Sequence, residues 1–286
     1  MSTPEIEKVP SADGTEIAYH RDGQGPALVF VDGAFCTRTM GPGNTLAPVL
    51  RTQFTTFTYD RRGRGDSGDS SVYEPRREIE DLAAVMDVAG GSVAVFGHSS
   101  GAILALEAVR AGLPIEALVV YEPPVVVDDS RPPVAQDFPE RVAQLAASGR
   151  SRAVVRTFMT EAIRAPKPVA ILMSAMPGGG RMRTIAPTVA YDATIMNPYQ
   201  QGTTSPKELC SSVQVSTLVM VGGKSQRWMQ SGCEMVAASI PNARLVRLDG
   251  QAHMVKAKAT APVVSGFLAE ASPSGPLAPR PNGEAK

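Results

Sequence analysis

VAVFGHSSGAILAL, residues 93–106, begins as a run of small and β-branched apolar residues and breaks at Gly97. It then passes through His98, Ser99, Ser100 and Gly101 and becomes at once an alanine- and leucine-rich segment. The first half has the composition of a buried strand and the second reads as a helix. Gly97 to Gly101 match G-x-S-x-G. So short a pattern recurs by chance, and its setting between strand and helix is what gives it meaning. There the glycines permit a tight turn that lifts the Ser99 hydroxyl above the sheet as a nucleophile elbow. Ala102 and Ala105 keep the following helix slim enough to lie close.

Outward from this turn, short apolar runs alternate with helical patterns. TEIAYHR (15–21) alternates at period two and predicts an edge-region strand, while ALVFVDG (27–33) and FTTFTYD (54–60) predict continuous buried strands. EPRREIEDLAAVMDVAG (74–90) sets Ile79, Leu82, Ala83 and Met86 on one helical stripe, with Gly90 as its C-cap. Strands at 92–97, 115–121, 216–223 and 243–250 follow, with helices at 100–112, about 227–240 and 257–270. The alternation predicts an α/β fold, a mostly parallel sheet with helices on both faces. Residues 128–210 break the rhythm. Their helical patterns are punctuated by Pro139, Pro166, Pro168, Pro177 and the glycines at 178–180, which predicts a helical cap inserted between core segments 1–127 and 211–271. The tail, 272–286, is rich in proline, glycine and polar residues and is expected to be disordered.

The chain of 286 residues balances 28 basic against 28 acidic side chains, so neither a nucleic acid nor an anionic membrane is an expected partner. Cys36, Cys210 and Cys233 form neither a metal-binding spacing nor a disulfide framework, which fits a reducing compartment. The N-terminal stretch has no apolar core, and no apolar run approaches the roughly 18 residues of a membrane span. A cytoplasmic protein acting on a small molecule is the expectation, with no metal or organic cofactor implied.

A serine hydroxyl needs a base to take its proton. Of three histidines, His20 sits in the early strand as a surface or edge residue. His98 adjoins Ser99 in a tight turn that should project its ring away from the hydroxyl. His253, in LDGQAHMVK, follows the last strand on the sheet edge where all parallel strands end, and is the expected base. An oxyanion needs two preorganised N–H donors. Ser100, directly after the nucleophile, supplies one, and the turn VDGAF supplies the other from Ala34, with Phe35 as the alternative.

Together VDGAF (31–35), YDRRGRGDS (59–67), FGHSSG (96–101) and LDGQAHMVKAKATAPVVSGFL (248–268) resemble, in order and distance, the α/β-hydrolase fold enzymes over about residues 5–270. The resemblance implies an eight-stranded sheet, a cap over the site, and Ser-acid-His catalysis. Two departures stand out. Members usually carry His-Gly at the oxyanion turn, where this chain has Asp32-Gly33. Members also commonly place the acid after the seventh strand, where GGKSQRWMQSGC (222–233) holds no carboxylate and Ser225 stands in its place. Some branches, the haloalkane dehalogenases among them, place the acid at the end of the sixth strand, which points to Glu122 in LVVYEPP. Asp249 near His253, and Asp128 and Asp129 in the insertion, are the alternative carboxylates, and a Ser-His dyad without an acid is the remaining alternative.

GRGDSG (63–68) fits G-x-G-x-x-G, but Arg61, Arg62 and Arg64 crowd the turn and no helix opens directly from it, which argues against a dinucleotide site. Cys36 reads as a small apolar filler. The methionines in and around the insertion (Met159, Met173, Met176, Met182, Met196) read as core with a share lining a cleft, and Arg152, Arg156, Arg164 and Arg181 as a solvated face. The expected function is a serine hydrolase cleaving an ester-like bond of a small or medium, largely apolar substrate through an acyl-Ser99 intermediate. A lyase, cyclase or acyl transferase on the same scaffold is the alternative, followed by a non-catalytic ligand receptor.

Overall fold

The computed structural model describes residues 5–175 and 179–271. The expected disordered tail lies outside the described residues, as do Met176, Pro177 and Gly178. In chain order the elements are β1 (Glu7–Pro10), β2 (Glu16–Gly23), β3 (Ala27–Val31), α1 (Pro42–Leu50), β4 (Thr55–Tyr59), α2 (Pro75–Ala89), β5 (Val93–His98), α3 (Ser100–Arg110) and β6 (Ile115–Tyr121). Then come α4 (Phe138–Ala147), α5 (Ser151–Glu161), α6 (Lys167–Ala175), α7 (Gly179–Ile185), a 3₁₀ turn (Ala186–Thr188), α8 (Val189–Gln200) and α9 (Pro206–Cys210). The chain returns to the sheet in β7 (Ser216–Gly222), α10 (Arg227–Ser239), β8 (Ala243–Leu248) and α11 (Ala257–Ala271).

One eight-stranded sheet runs in the order β1-β2-β4-β3-β5-β6-β7-β8. Its strands are parallel from β4 to β8, and β2 is antiparallel to both its neighbours. Both faces are covered. Leu28 and Phe30 of β3 pack in the layer of α1 and α11, whereas Val29 and Val31 face α2 and α3 in the larger core. Continuous apolar strands are the consequence of this two-sided burial. Between β6 and β7 the described residues hold helices and no strand. No described helix is long and apolar enough to cross a membrane.

Two sequence expectations need correction. β2 lies next to the sheet edge, flanked by β1, a short polar strand (EKVP) without apolar alternation, and its Ile17, Ala18, Tyr19 and His20 are all buried. His20 is accordingly no surface residue: its Nε2 accepts from Arg38 Nε at 3.1 Å. On α2 the buried stripe is Glu78, Asp81, Leu82, Val85 and Met86, with Ile79 and Ala83 only partly covered. The two carboxylates are there because Arg61 and Arg62 behind β4 are themselves buried and need partners. Gly90 does close the helix, at φ 116°.

Candidate active site

Chain direction on the sheet reverses between β3 and β5. From β3 the chain moves outward to β4, then crosses back to β5 and continues outward to β8. The C-terminal ends of β3 and β5 therefore diverge into a crevice, the usual ligand position in an open α/β sheet. Ser99 follows β5 there, in the strained conformation φ 55°, ψ −124°. Its own N–H donates to Tyr121 O at 2.9 Å, and the helix starts at the next residue. Close packing explains the glycines. A Cβ on Gly97 would lie 2.7 Å from Ala102 Cα, and one on Gly101 would collide with Val31 O. The turn after β3 rests against the elbow, since a Cβ on Gly33 would come within 2.9 Å of Ser99 Cβ. Ala34 and Phe35 follow directly, Phe35 at φ 60°, and both have an N–H to give.

Glu122 stands one residue past β6 at φ 52°, fully buried. Its Oε2 lies 2.7 Å from His253 Nδ1, while Oε1 accepts from Gly222 N–H at 2.8 Å and from the Ser225 hydroxyl at 2.5 Å. A carboxylate only accepts, so the neutral ring carries its hydrogen on Nδ1 and leaves Nε2 bare. Asp249 is exposed beyond β8, and Asp128 caps its own turn through Ser130 N–H at 2.9 Å. Among these carboxylates it is Glu122 whose side chain is bonded to the histidine ring. Ser225, at the position that lacks a carboxylate, thus supports one reaching in from the neighbouring strand.

The histidine loop is held by groups that sequence reasoning did not assign. Tyr121 Oη donates to Ala252 O at 2.7 Å, and His98 Nε2 lies 3.1 Å from His253 O. Burial, helped by the adjoining His253, pushes the His98 pKa down to about 3, so this ring stays neutral and donates from Nε2. Its ring packs against that of His253, with 4.7 Å between centroids. Ser99, Glu122 and His253 open on a cleft of about 220 Å³ walled by Phe158, Met196, Trp228 and Met229. Phe158 and Met196 come from the α4–α9 segment, and Trp228 is backed by the Arg131 guanidinium 4.5 Å over its ring. Of the other methionines named from sequence, Met159 is buried in the core, and Met173 and Met182 pack partly against it. Arg152, Arg156, Arg164 and Arg181 are exposed.

The model described as "Alpha/beta hydrolase family" matches residues 28–262. The chain belongs to the alpha/beta hydrolase family. An alpha/beta hydrolase from Sphaerobacter thermophilus is 46% identical, with 92% of this chain and 100% of that one covered and a TM-score of 0.85. Two more distant structures share the fold. A thermophilic esterase from Thermogutta terrifontis is 20% identical, over 93% of this chain and 99% of that one, at a TM-score of 0.70. The esterase RhEst1 from Rhodococcus is 18% identical, over 94% and 99%, at 0.62.

Within this alpha/beta hydrolase Asp32, in the turn after β3, has a structural partner. Asp32 is buried and accepts from Gly43 N–H at 3.0 and 3.1 Å, tying the turn to the start of α1. Burial pushes its pKa up to about 7, against the pull of the Gly43 bond, Arg61 and Arg64. The arginine-rich turn after β4 is buried as well. Arg61 binds Glu78 through Nε and Nη2 at 2.5 and 2.7 Å, and Arg62 binds Asp81 at 2.7 and 2.6 Å. Asp192 of α8, which carried no sequence signal beyond being an acid in an apolar helix, meets Arg61 at 2.7 Å and Arg64 at 2.5 Å.

Proposed function

We propose that this chain is a serine hydrolase that cleaves an ester-like bond of a small or medium, largely apolar molecule. The observation that carries the reading is the elbow serine, strained at φ 55°, sharing one apolar cleft with a histidine whose far nitrogen is bonded to a buried glutamate. In this mechanism Ser99 Oγ attacks the carbonyl carbon while His253 Nε2 takes its proton. Glu122 keeps the imidazole hydrogen on Nδ1 and stabilises the imidazolium. The backbone N–H groups of Ser100 and Ala34 receive the developing oxyanion. The imidazolium protonates the leaving alcohol or thiol, water enters with His253 as its base, and the acid leaves Ser99 free. The cleft volume lies below the roughly 300–1,000 Å³ usual for ligand sites, which favours a compact substrate. The three free cysteines support a cytoplasmic setting.

Intact-mass analysis after treatment with a fluorophosphonate tests the assignment. One label on the wild type is expected, with labelling and p-nitrophenyl butyrate hydrolysis both lost in Ser99→Ala. Persistent labelling of Ser99→Ala removes Ser99 from the mechanism. In heavy-oxygen water the butyrate released must carry solvent oxygen; unlabelled acid would exclude an acyl-enzyme resolved by water.

A further inference from the structure

The buried carboxylate of Asp192 touches the β5 side of the crevice in which Ser99 stands and reaches the β3 side through Arg64, yet it comes from α8, outside the sheet. Its Oδ1 accepts from the Ser100 hydroxyl at 2.6 Å and from Arg61 Nη1 at 2.7 Å, and its Oδ2 accepts from Arg64 Nη2 at 2.5 Å. Arg64 in turn donates from Nη1 to Gly33 O at 2.9 Å, and from Nε to Thr188 Oγ1 at 3.1 Å just before α8. Arg61 Nη1 also reaches Asp32 O at 3.3 Å. Burial opposes ionisation of Asp192, but Arg64, Arg61 and the Ser100 hydroxyl outweigh it and hold its pKa below the usual carboxylate value.

The geometry points to Asp192 as a positioning residue for the oxyanion hole, resting on the serine-hydrolase reading above. Gly33 C=O and Ala34 N–H belong to one planar trans peptide, so they point in opposite directions. A guanidinium fixed on the carbonyl aims the N–H the other way and polarises it as a donor. Ser100 is the first residue of α3, and its hydroxyl bond to Asp192 fixes the rotation of the turn that carries the second donor. One carboxylate thus sets both donors: Ser100 directly, and Ala34 through Arg64. Because α8 belongs to the segment inserted between β6 and β7, the oxyanion hole is complete only when that segment is docked. Cleft shape and transition-state stabilisation are then supplied by the same helix, whose Met196 lines the cleft one turn beyond Asp192.

Asp192→Asn removes the charge that orders both arginines, and Ser100→Ala removes one bond while leaving the ion pairs intact. Each is to be assayed with p-nitrophenyl butyrate, for inhibition by an alkyl trifluoromethyl ketone, which forms a tetrahedral oxyanion on the serine, and for its fluorophosphonate labelling rate. Loss of an oxyanion donor typically costs about 10²–10³ in kcat. In Asp192→Asn, kcat and ketone affinity are expected to fall together by about 10²-fold with KM within about threefold. In Ser100→Ala the same paired loss of about tenfold is expected, and this variant decides the matter if Asp192→Asn does not fold. Val236→Ala, a buried change in α10, a helix that supplies no group to the network, should lower stability without separating kcat from KM. Wild-type kcat, ketone affinity and labelling rate in Ser100→Ala and in any folded Asp192→Asn would overturn the positioning role alone. A wild type that neither labels nor binds the ketone overturns the hydrolase reading and the positioning role with it.

Discussion

Glu122 accepts on both of its oxygens at once, facing His253 Nδ1 with one and Gly222 N–H plus the Ser225 hydroxyl with the other. An amide offers a single acceptor. In Glu122→Gln the NH₂ group must oppose either two donors or the imidazole, and turned to the imidazole it drives the ring hydrogen onto Nε2, where the ring cannot take a proton from Ser99. Turnover of p-nitrophenyl butyrate is expected to fall by about 10³–10⁴, as in other triads that lose the tautomer-fixing acid. Asp249→Asn should stay within about threefold, because Asp249 is exposed and not bonded to the ring; the opposite ranking would reassign the acid. Ser225→Ala leaves the carboxylate in place with one donor fewer and should cost about tenfold, roughly 1.4 kcal/mol. Ser99, His253 and Glu122 were all legible as residue types at strand ends. The support given by Ser225 was not, because it depends on how far a glutamate arm reaches from one strand to its neighbour's loop.

At the scale of elements, the elbow is a packing device before it is a chemical one. The start of α3 lies so close to β3 that a methyl group on Gly101 would press into Val31 O and lie 2.8 Å from Asp32 O. Gly101→Ala must lift the helix off β3 and the turn that follows it, and should cost about 3 kcal/mol or more. Gly112, just past the same helix, has φ 88° and open space where a Cβ would sit. Gly112→Ala should cost only the left-handed penalty of about 1–2 kcal/mol. Urea denaturation midpoints compare the two, and equal costs would mean that close approach is not what Gly101 provides. Strands buried on both faces were legible because their apolar runs are continuous. β1 and α1 were not, since β1 pairs a polar segment with β2, and α1 carries Pro48 within a short proline- and glycine-rich stretch.

At the scale of the whole molecule, two buried titrating groups act on stability with opposite sign. Asp32 has its pKa raised to about 7 from the usual 3.8, so the folded state holds a proton that the unfolded chain releases. Stability from this group is present at low pH and lost as pH rises from about 4 to 7. His98, lowered to about 3 from 6.5, is neutral in the fold while the unfolded chain binds a proton. Its contribution is lost as pH falls from about 6.5 toward 3, so the two slopes oppose each other in that window. Asp32→Asn keeps an acceptor for Gly43 N–H and removes only the Asp32 slope. Its melting temperature relative to wild type is therefore expected to rise between pH 5 and pH 8. A constant difference across that range would show that Asp32 does not titrate in the fold.

From the sequence alone came the α/β alternation, the strand–turn–helix around Ser99, His253 at the sheet's C-terminal edge as the expected base, and several carboxylates left to choose between. These are local signals: apolar period, glycine spacing, and a chain order that parallel strands convert into a common edge. Tertiary structure alone decided that Glu122 rather than Asp249 reaches the imidazole, that His20 is buried, and that His98 and Tyr121 hold the histidine loop. It also brought Asp192 to Ser100 across 92 residues. Nothing near Asp192 in the chain signals a partner there. A buried ion network exists only once separate elements have excluded water from the space between them, and then each charge must find its counter-charge wherever the fold has put it.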